Sequence, residues 1–216
     1  MISADLFQIL WNNVLDTSWL EIIAVFFGIA SVWFAKKENI LVYPTGIFSV
    51  LIYVWICFTA KLYADAGINF YYFVTSVYGW YAWTHKSSGD TGLIISVNSN
   101  KQQWMWAILS VGAYGLIFFT LWIFKQNDTE YMQSYLPYTD SFTTAMFLIA
   151  MILMARKKVE NWVYWIIGDV VSIPLYLVKG LVFTGFQYLV FLIIAFMGYV
   201  AWKRSYNEWR TKSVTG

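Results

Sequence analysis

The chain has 216 residues, 60% of them hydrophobic, 21% aromatic and only 12% charged, with a net charge of +2. A soluble domain carries roughly twice that charged fraction, so the composition excludes an ordinary soluble globule and points to a bilayer. The slight positive charge offers no footprint for nucleic acid, and the single Cys57 excludes an internal disulfide and reads as a buried structural thiol.

In chain order, residues 1–18 come first. They lack the basic start of a signal peptide, and Asp5 and Asp16 are acidic. Leu6, Phe7, Leu10 and Val14 recur at helical spacing, which predicts an amphipathic segment lying on the membrane surface. Seven apolar runs follow, at 19–35, 40–59, 66–84, 104–124, 138–155, 162–178 and 181–202. Each has about the length a membrane-spanning helix needs, and backbone in lipid must satisfy its own hydrogen bonds, so these runs predict helices. Residues 203–216 form a polar tail. Lys36, Lys37, Lys86, Lys101, Arg156, Lys157, Lys158, Lys203, Arg204, Arg210 and Lys212 fall on one side of this arrangement, whereas Lys61, Lys125 and Lys179 fall on the other. Cytoplasmic loops are the basic ones, so the predicted orientation is N-terminus outside, C-terminus inside.

The first and last thirds resemble each other. ENILVYPTGIFSV (38–50) overlies ENWVYWIIGDVVS (160–172) at an offset of 122, with Glu, Asn and Gly coinciding. GWYAW (79–83) overlies GYVAW (198–202) at an offset of 119, and AKKEN (35–39) has a near match in ARKKVEN (155–161). The pattern predicts an all-α membrane protein of seven transmembrane helices in a 3+1+3 arrangement. One three-helix repeat covers 19–84, a linking helix covers 104–124, and a second repeat covers 138–202. Three helices end on the face opposite their start, so one linking helix lets the second repeat insert parallel to the first. Parallel repeats are a transporter architecture with substrate sites near mid-membrane, although a duplication also simply enlarges a bundle.

The sixth run holds the least expected residue. A carboxyl at the helix centre costs about 2.5–3.5 kcal/mol on insertion scales, so Asp169 is expected to face the bundle interior. Trp162, Trp165, Asp169, Ser172 and Tyr176 follow spacings of three and four and share one helical face. Pro174 lacks an N–H, which leaves the Val170 carbonyl without its usual partner. The third run offers a similar face in Asn69, Tyr72, Ser76, Trp80 and Trp83, and Gln187 in the seventh occupies a position near that of Asn69 in the repeat. Together they predict an aromatic box with few polar groups, suited to a small flat cation. Asp169 also has a simpler reading as acceptor for a neighbouring hydroxyl. Trp83, Trp104, Trp106, Trp122 and Trp202, near run ends, read as packing residues or interface anchors. Glu21 reads as solvated and His85 as a surface residue.

Other chemistries find no support. The chain has no phosphate-binding G-x-x-x-x-G-K-[ST] loop, no mid-span lysine for a Schiff base, no ladder of intramembrane acids and bases, and no metal-spaced His/Cys cluster. No cofactor or enzymatic activity is expected, and facilitated movement of a solute is the simplest mechanism.

YPTGI (43–47), LYADAGINFYYF (62–73), YGWYAW (78–83) and MARKKVENWVYWIIGD (154–169) resemble the PnuC family of bacterial vitamin transporters, over Ser18 to Trp202. The resemblance implies a fold similar to that of the SWEET sugar transporters. It implies facilitated uptake of nicotinamide riboside across the inner membrane, with a cytoplasmic kinase trapping the vitamin by phosphorylation. Thiamine, another flat cation, is the alternative cargo. The family signature W-x-x-W-x-x-x-[ND] maps onto Trp162, Trp165 and Asp169, which the resemblance makes ligand contacts. Asn69 stands where many family members have Gln. Whether the chain forms homo-oligomers stays open.

Overall fold

The computed structural model describes residues 18–85 and 93–215. The expected surface helix over residues 1–17 and the basic Lys86 lie outside the described residues. Among the described residues eight helices follow one another: α1 Trp19–Lys36, α2 Val42–Thr59, α3 Tyr63–Thr84, α4 Asn100–Lys125, α5 Thr129–Gln133, α6 Leu136–Ala155, α7 Asn161–Val178 and α8 Val182–Thr215. The fold is therefore all-α. Six of the helices, α1, α2, α4, α6, α7 and α8, are long and apolar enough to cross a membrane. α3 has the length, but Asp65, Asn69, Thr75, Ser76 and its tyrosines dilute its apolar character.

Local chemistry explains the helix ends. Ser18 caps α1 by accepting from the Glu21 N–H, and Lys36 sits in its last turn, where a cation complements the helix dipole. Ser99 and Gln102 form a reciprocal capping box at the start of α4. The segment before it is tied down: the Ser96 N–H donates to Lys157 O and Ser96 O accepts from the Val159 N–H, both at 3.0 Å.

Packing arranges six helices in a closed ring: α1 on α2, α2 on α3, α3 on α6, α6 on α7, α7 on α8, and α8 back on α1. α4 packs on α6 from outside and leaves Trp104, Ile108, Val111 and Leu116 exposed. The tightest core lies where α1 and α6 end, and gathers Ala35, Tyr43, Met154, Trp162 and Trp202. At the opposite end, Asp140 accepts from the Tyr131 hydroxyl (2.8 Å) and pairs with Lys179 (2.7 Å), tying α5, α6 and the turn after α7 together. Burial, and then the Asp140 charge, push the Tyr131 phenol well above its ordinary pKa.

Equivalent features recur 119 residues apart. Left-handed turn residues follow α2 at Lys61 (φ 59°) and α7 at Gly180 (φ 73°); others follow α1 at Glu38 (φ 54°) and α6 at Lys157 (φ 49°). The ring of Tyr43 lies over Gly79 and that of Trp162 over Gly198, and in each case a Cβ on the glycine would fall about 2.5 Å from the ring. Tyr43 meets Trp83 edge-on at 5.1 Å and 87°; Trp162 meets Trp202 at 5.5 Å and 89°. The Trp83 Nε1–H donates to Ala155 O at the end of α6 (3.2 Å), and the Trp202 Nε1–H to Ala35 O at the end of α1 (3.0 Å). These equivalences correct one expectation. The 122-residue alignment of 38–50 with 160–172 does not correspond to matching structure, because three residues shift the helix phase. Among the tryptophans near run ends, Trp202, fully buried, and Trp106, 5% exposed, are packing residues, while Trp104 is exposed.

Glu38 and Lys157, the matching turn residues, carry opposite charges and approach to 3.6 Å; Glu38 also accepts from Ser205 Oγ, and Lys157 lies over the Trp83 ring. Half-exposed pairs are worth about 0–1 kcal/mol. Lys157→Glu, which sets two acids side by side, is therefore expected to lower the unfolding midpoint by about 2–4 °C in a chain of this size. Adding Glu38→Lys is expected to recover most of that loss; no recovery in a thermal scan would show that the pair is incidental.

Candidate ligand site

α7 buries the face expected from its sequence. Trp162, Asp169 and Ser172 are essentially inaccessible, and Trp165 and Tyr176 are half-buried. Val163, Ile167, Val170 and Leu177 on the other side are 39–50% exposed, as lipid-facing positions would be. Three polar atoms on the buried face have no hydrogen-bond partner: Trp162 Nε1, Asp169 Oδ2 and Ser172 Oγ. Orphaned buried polar atoms are rare in native proteins and costly to maintain. The absence of a partner at Ser172 and at Asp169 Oδ2 speaks against a purely structural role for the acid.

The ring interior supplies the rest. A column of parallel rings runs beside Asp169: Trp165 on Phe147 (5.3 Å, 27°), Phe147 on Tyr188 (5.8 Å, 12°) and Tyr188 on Tyr176 (5.0 Å, 12°). Asp169 and Tyr72 both lie within electrostatic reach of Tyr188, which brings α3, α7 and α8 to one place. Ser76 is buried on α3 next to Gly46. Gln187 reaches Tyr53 of α2 rather than Asp169. Asn69 donates from Nδ2 to Asp65 O in its own helix (2.9 Å), and Trp80 is 41% exposed, away from the interior. The structure thus gathers Trp162, Trp165, Asp169, Ser172, Tyr176 and Tyr72, buries Ser76 against α2, and leaves Asn69, Gln187 and Trp80 at the margin of the site or outside it. Phe147 packs against the Gly168 backbone, the residue before the acid, and so narrows the space there.

The sequence reading missed Phe147 and Tyr188. Tyr188 is the 119-residue mate of Asn69, so the paired position was shifted by one to Gln187. Phe147 gives no such signal, because its mate is Gly28.

The site has neither a nucleophile–base pair nor, among the described residues, a cluster of metal-ligating side chains. Its chemistry is recognition: flat walls, one buried carboxyl, an indole donor and a hydroxyl. Apolar spanning helices around such a face place the chain among multi-pass membrane proteins that handle small solutes. The model of the family described as nicotinamide mononucleotide transporter matches residues 18–204, and the chain belongs to that family of membrane transporters. It is 28% identical over 217 residues to the nicotinamide riboside transporter PnuC of Escherichia coli, covering 89% of this chain and 88% of that one. It is 26% identical over 199 residues to PnuC of Neisseria mucosa, covering 87% and 73%. It is 24% identical over 184 residues to the riboflavin/roseoflavin transporter RibM of Streptomyces davaonensis, covering 85% and 84%. A crystal structure of the vitamin B3 transporter PnuC has the same fold, with a TM-score of 0.68 at 23% identity over 95% of this chain and 92% of that one.

Proposed function

We propose that this chain carries nicotinamide riboside across the bacterial inner membrane by facilitated diffusion, with Trp162, Trp165, Asp169, Ser172, Tyr176, Tyr72 and Ser76 around the ligand. The observation that carries this reading is the set of three unpartnered polar atoms aligned on the buried face of α7. A ligand with a cationic ring and ribose hydroxyls offers each of them a partner: charge for the carboxyl, an acceptor for the indole, a hydroxyl for the serine. Two relatives named for that vitamin favour it over thiamine.

α3 completes seven spans in this reading. The recurrence of turns, glycine contacts and indole donors at one interval supports two parallel repeats, α1–α3 and α6–α8, joined by α4. Exchanging the two triplets maps the ring of helix contacts onto itself. The lysine and arginine distribution supports an outside N-terminus. The indole pairs then close the cytoplasmic end, and phosphorylation by a kinase there would keep the imported vitamin from returning.

Purified protein in liposomes is expected to equilibrate labelled nicotinamide riboside to equal concentrations inside and out, with no ion gradient. Uptake that exceeds the outside concentration only under a sodium or proton gradient would sink the passive mechanism. Flux of labelled thiamine but not of nicotinamide riboside would sink the substrate.

A further inference from the structure

Phe147 occupies an unusual place. It is 7% exposed on α6, and its ring is near-parallel to those of Trp165 (5.3 Å, 27°) and Tyr188 (5.8 Å, 12°). Near-parallel flat rings are the geometry in which aromatic faces take up a planar ligand. The insertion depends on Gly168, the residue before Asp169. A Cβ at that position would overlap Phe147 Cε1, closer than any side chain tolerates. The 119-residue mates of Phe147 and Gly168 are Gly28 and Ser49, where the bulky ring is missing. The first half of the chain thus has no counterpart to this ring, just as Val50 stands where the second half has Asp169.

We propose that Phe147 is the specificity-determining residue of the site: its ring takes one stacking position in the aromatic column and so limits the ligand to a single small ring beside Asp169. A tricyclic planar ligand needs the longer stack that Phe147 interrupts. This rests on the ligand-site reading above, and it names what that site rejects. Removing the ring vacates the position that neighbours Trp165, Tyr188 and the Gly168 backbone.

Riboflavin is a suitable probe, because its own emission is quenched when its isoalloxazine stacks on indole or phenol. Titration of riboflavin into purified parent, Phe147→Ala and Phe147→Val protein is expected to show at least about tenfold tighter binding to the alanine variant, with quenching. A smaller gain of about threefold is expected for valine, which keeps a branched apolar filler and so protects the fold. Riboflavin binding that is unchanged or weaker in both variants overturns the proposal. A gain without quenching overturns it too, since the flavin would then be bound away from the stack. Calorimetry of the parent with nicotinamide riboside forms a separate arm. Failure there strikes the substrate assignment, while the flavin arm alone decides the role of Phe147.

Discussion

Asp169→Ala is expected to weaken nicotinamide riboside binding by about 10- to 100-fold, the loss of one charge-assisted contact worth roughly 1.5–3 kcal/mol. The same change is expected to raise the unfolding temperature of the unliganded protein. Its Oδ2 is buried without a partner, so removing it relieves a desolvation cost and breaks no bond at that oxygen. The opposite signs are the diagnostic. A carboxyl that held the fold together would lose stability on deletion, and one aimed away from the ligand would leave binding intact. Trp165→Ala should behave differently, losing binding and stability together, because its ring also supports Phe147. Calorimetry with the vitamin, paired with thermal scans of each variant in detergent, reads both quantities.

Gly198→Ala is expected to cost about 1–3 kcal/mol of stability and to weaken ligand binding at the same time. Its Cβ would fall about 2.5 Å from the Trp162 indole, a rigid ring that is 1% exposed. Gly198→Val should prevent accumulation of folded protein. The control is Gly112→Ala in α4, where a Cβ meets nothing within 4 Å. There the gain in helix propensity, roughly 0.5–1 kcal/mol, is expected to stabilise the chain. Equal responses of the two alanine variants would mean that the close approach of α8 to Trp162 is not a feature of the folded protein.

The helices were legible because bilayer length and apolarity leave few alternatives; every expected run became a helix, with ends within a few residues except the last, which continues through the expected tail to Thr215. The buried face of α7 was legible for a related reason. One acid among isoleucines and valines fixes the phase of a helix, and spacings of three and four then assign its neighbours. Residues outside that logic were not readable. Trp202 and Trp83 read by position as packing residues or interface anchors, and only the close approach of α1 to α8 and of α3 to α6 makes them donors to the neighbouring helix ends, Trp202 fully buried and Trp83 partly so. Phe147 is one phenylalanine among 17, and nothing local distinguishes it until the missing Cβ of Gly168 is seen beneath it. Asn69 and Trp80 were placed in the site by a helical phase that fits their spacing, yet one bonds back to its own helix and the other faces outward.

The indole pairing between α8 and α1 also bears on how the molecule is made. Ala35 O waits for a donor that lies 167 residues further along the chain. Until the ribosome has delivered Trp202, α1 has only α2 beside it, and one flank of the nascent barrel stays open to lipid or to an insertase. Closure is therefore a late event of biosynthesis, and a truncation just before Trp202 should leave inserted but unlatched helices exposed to membrane proteases.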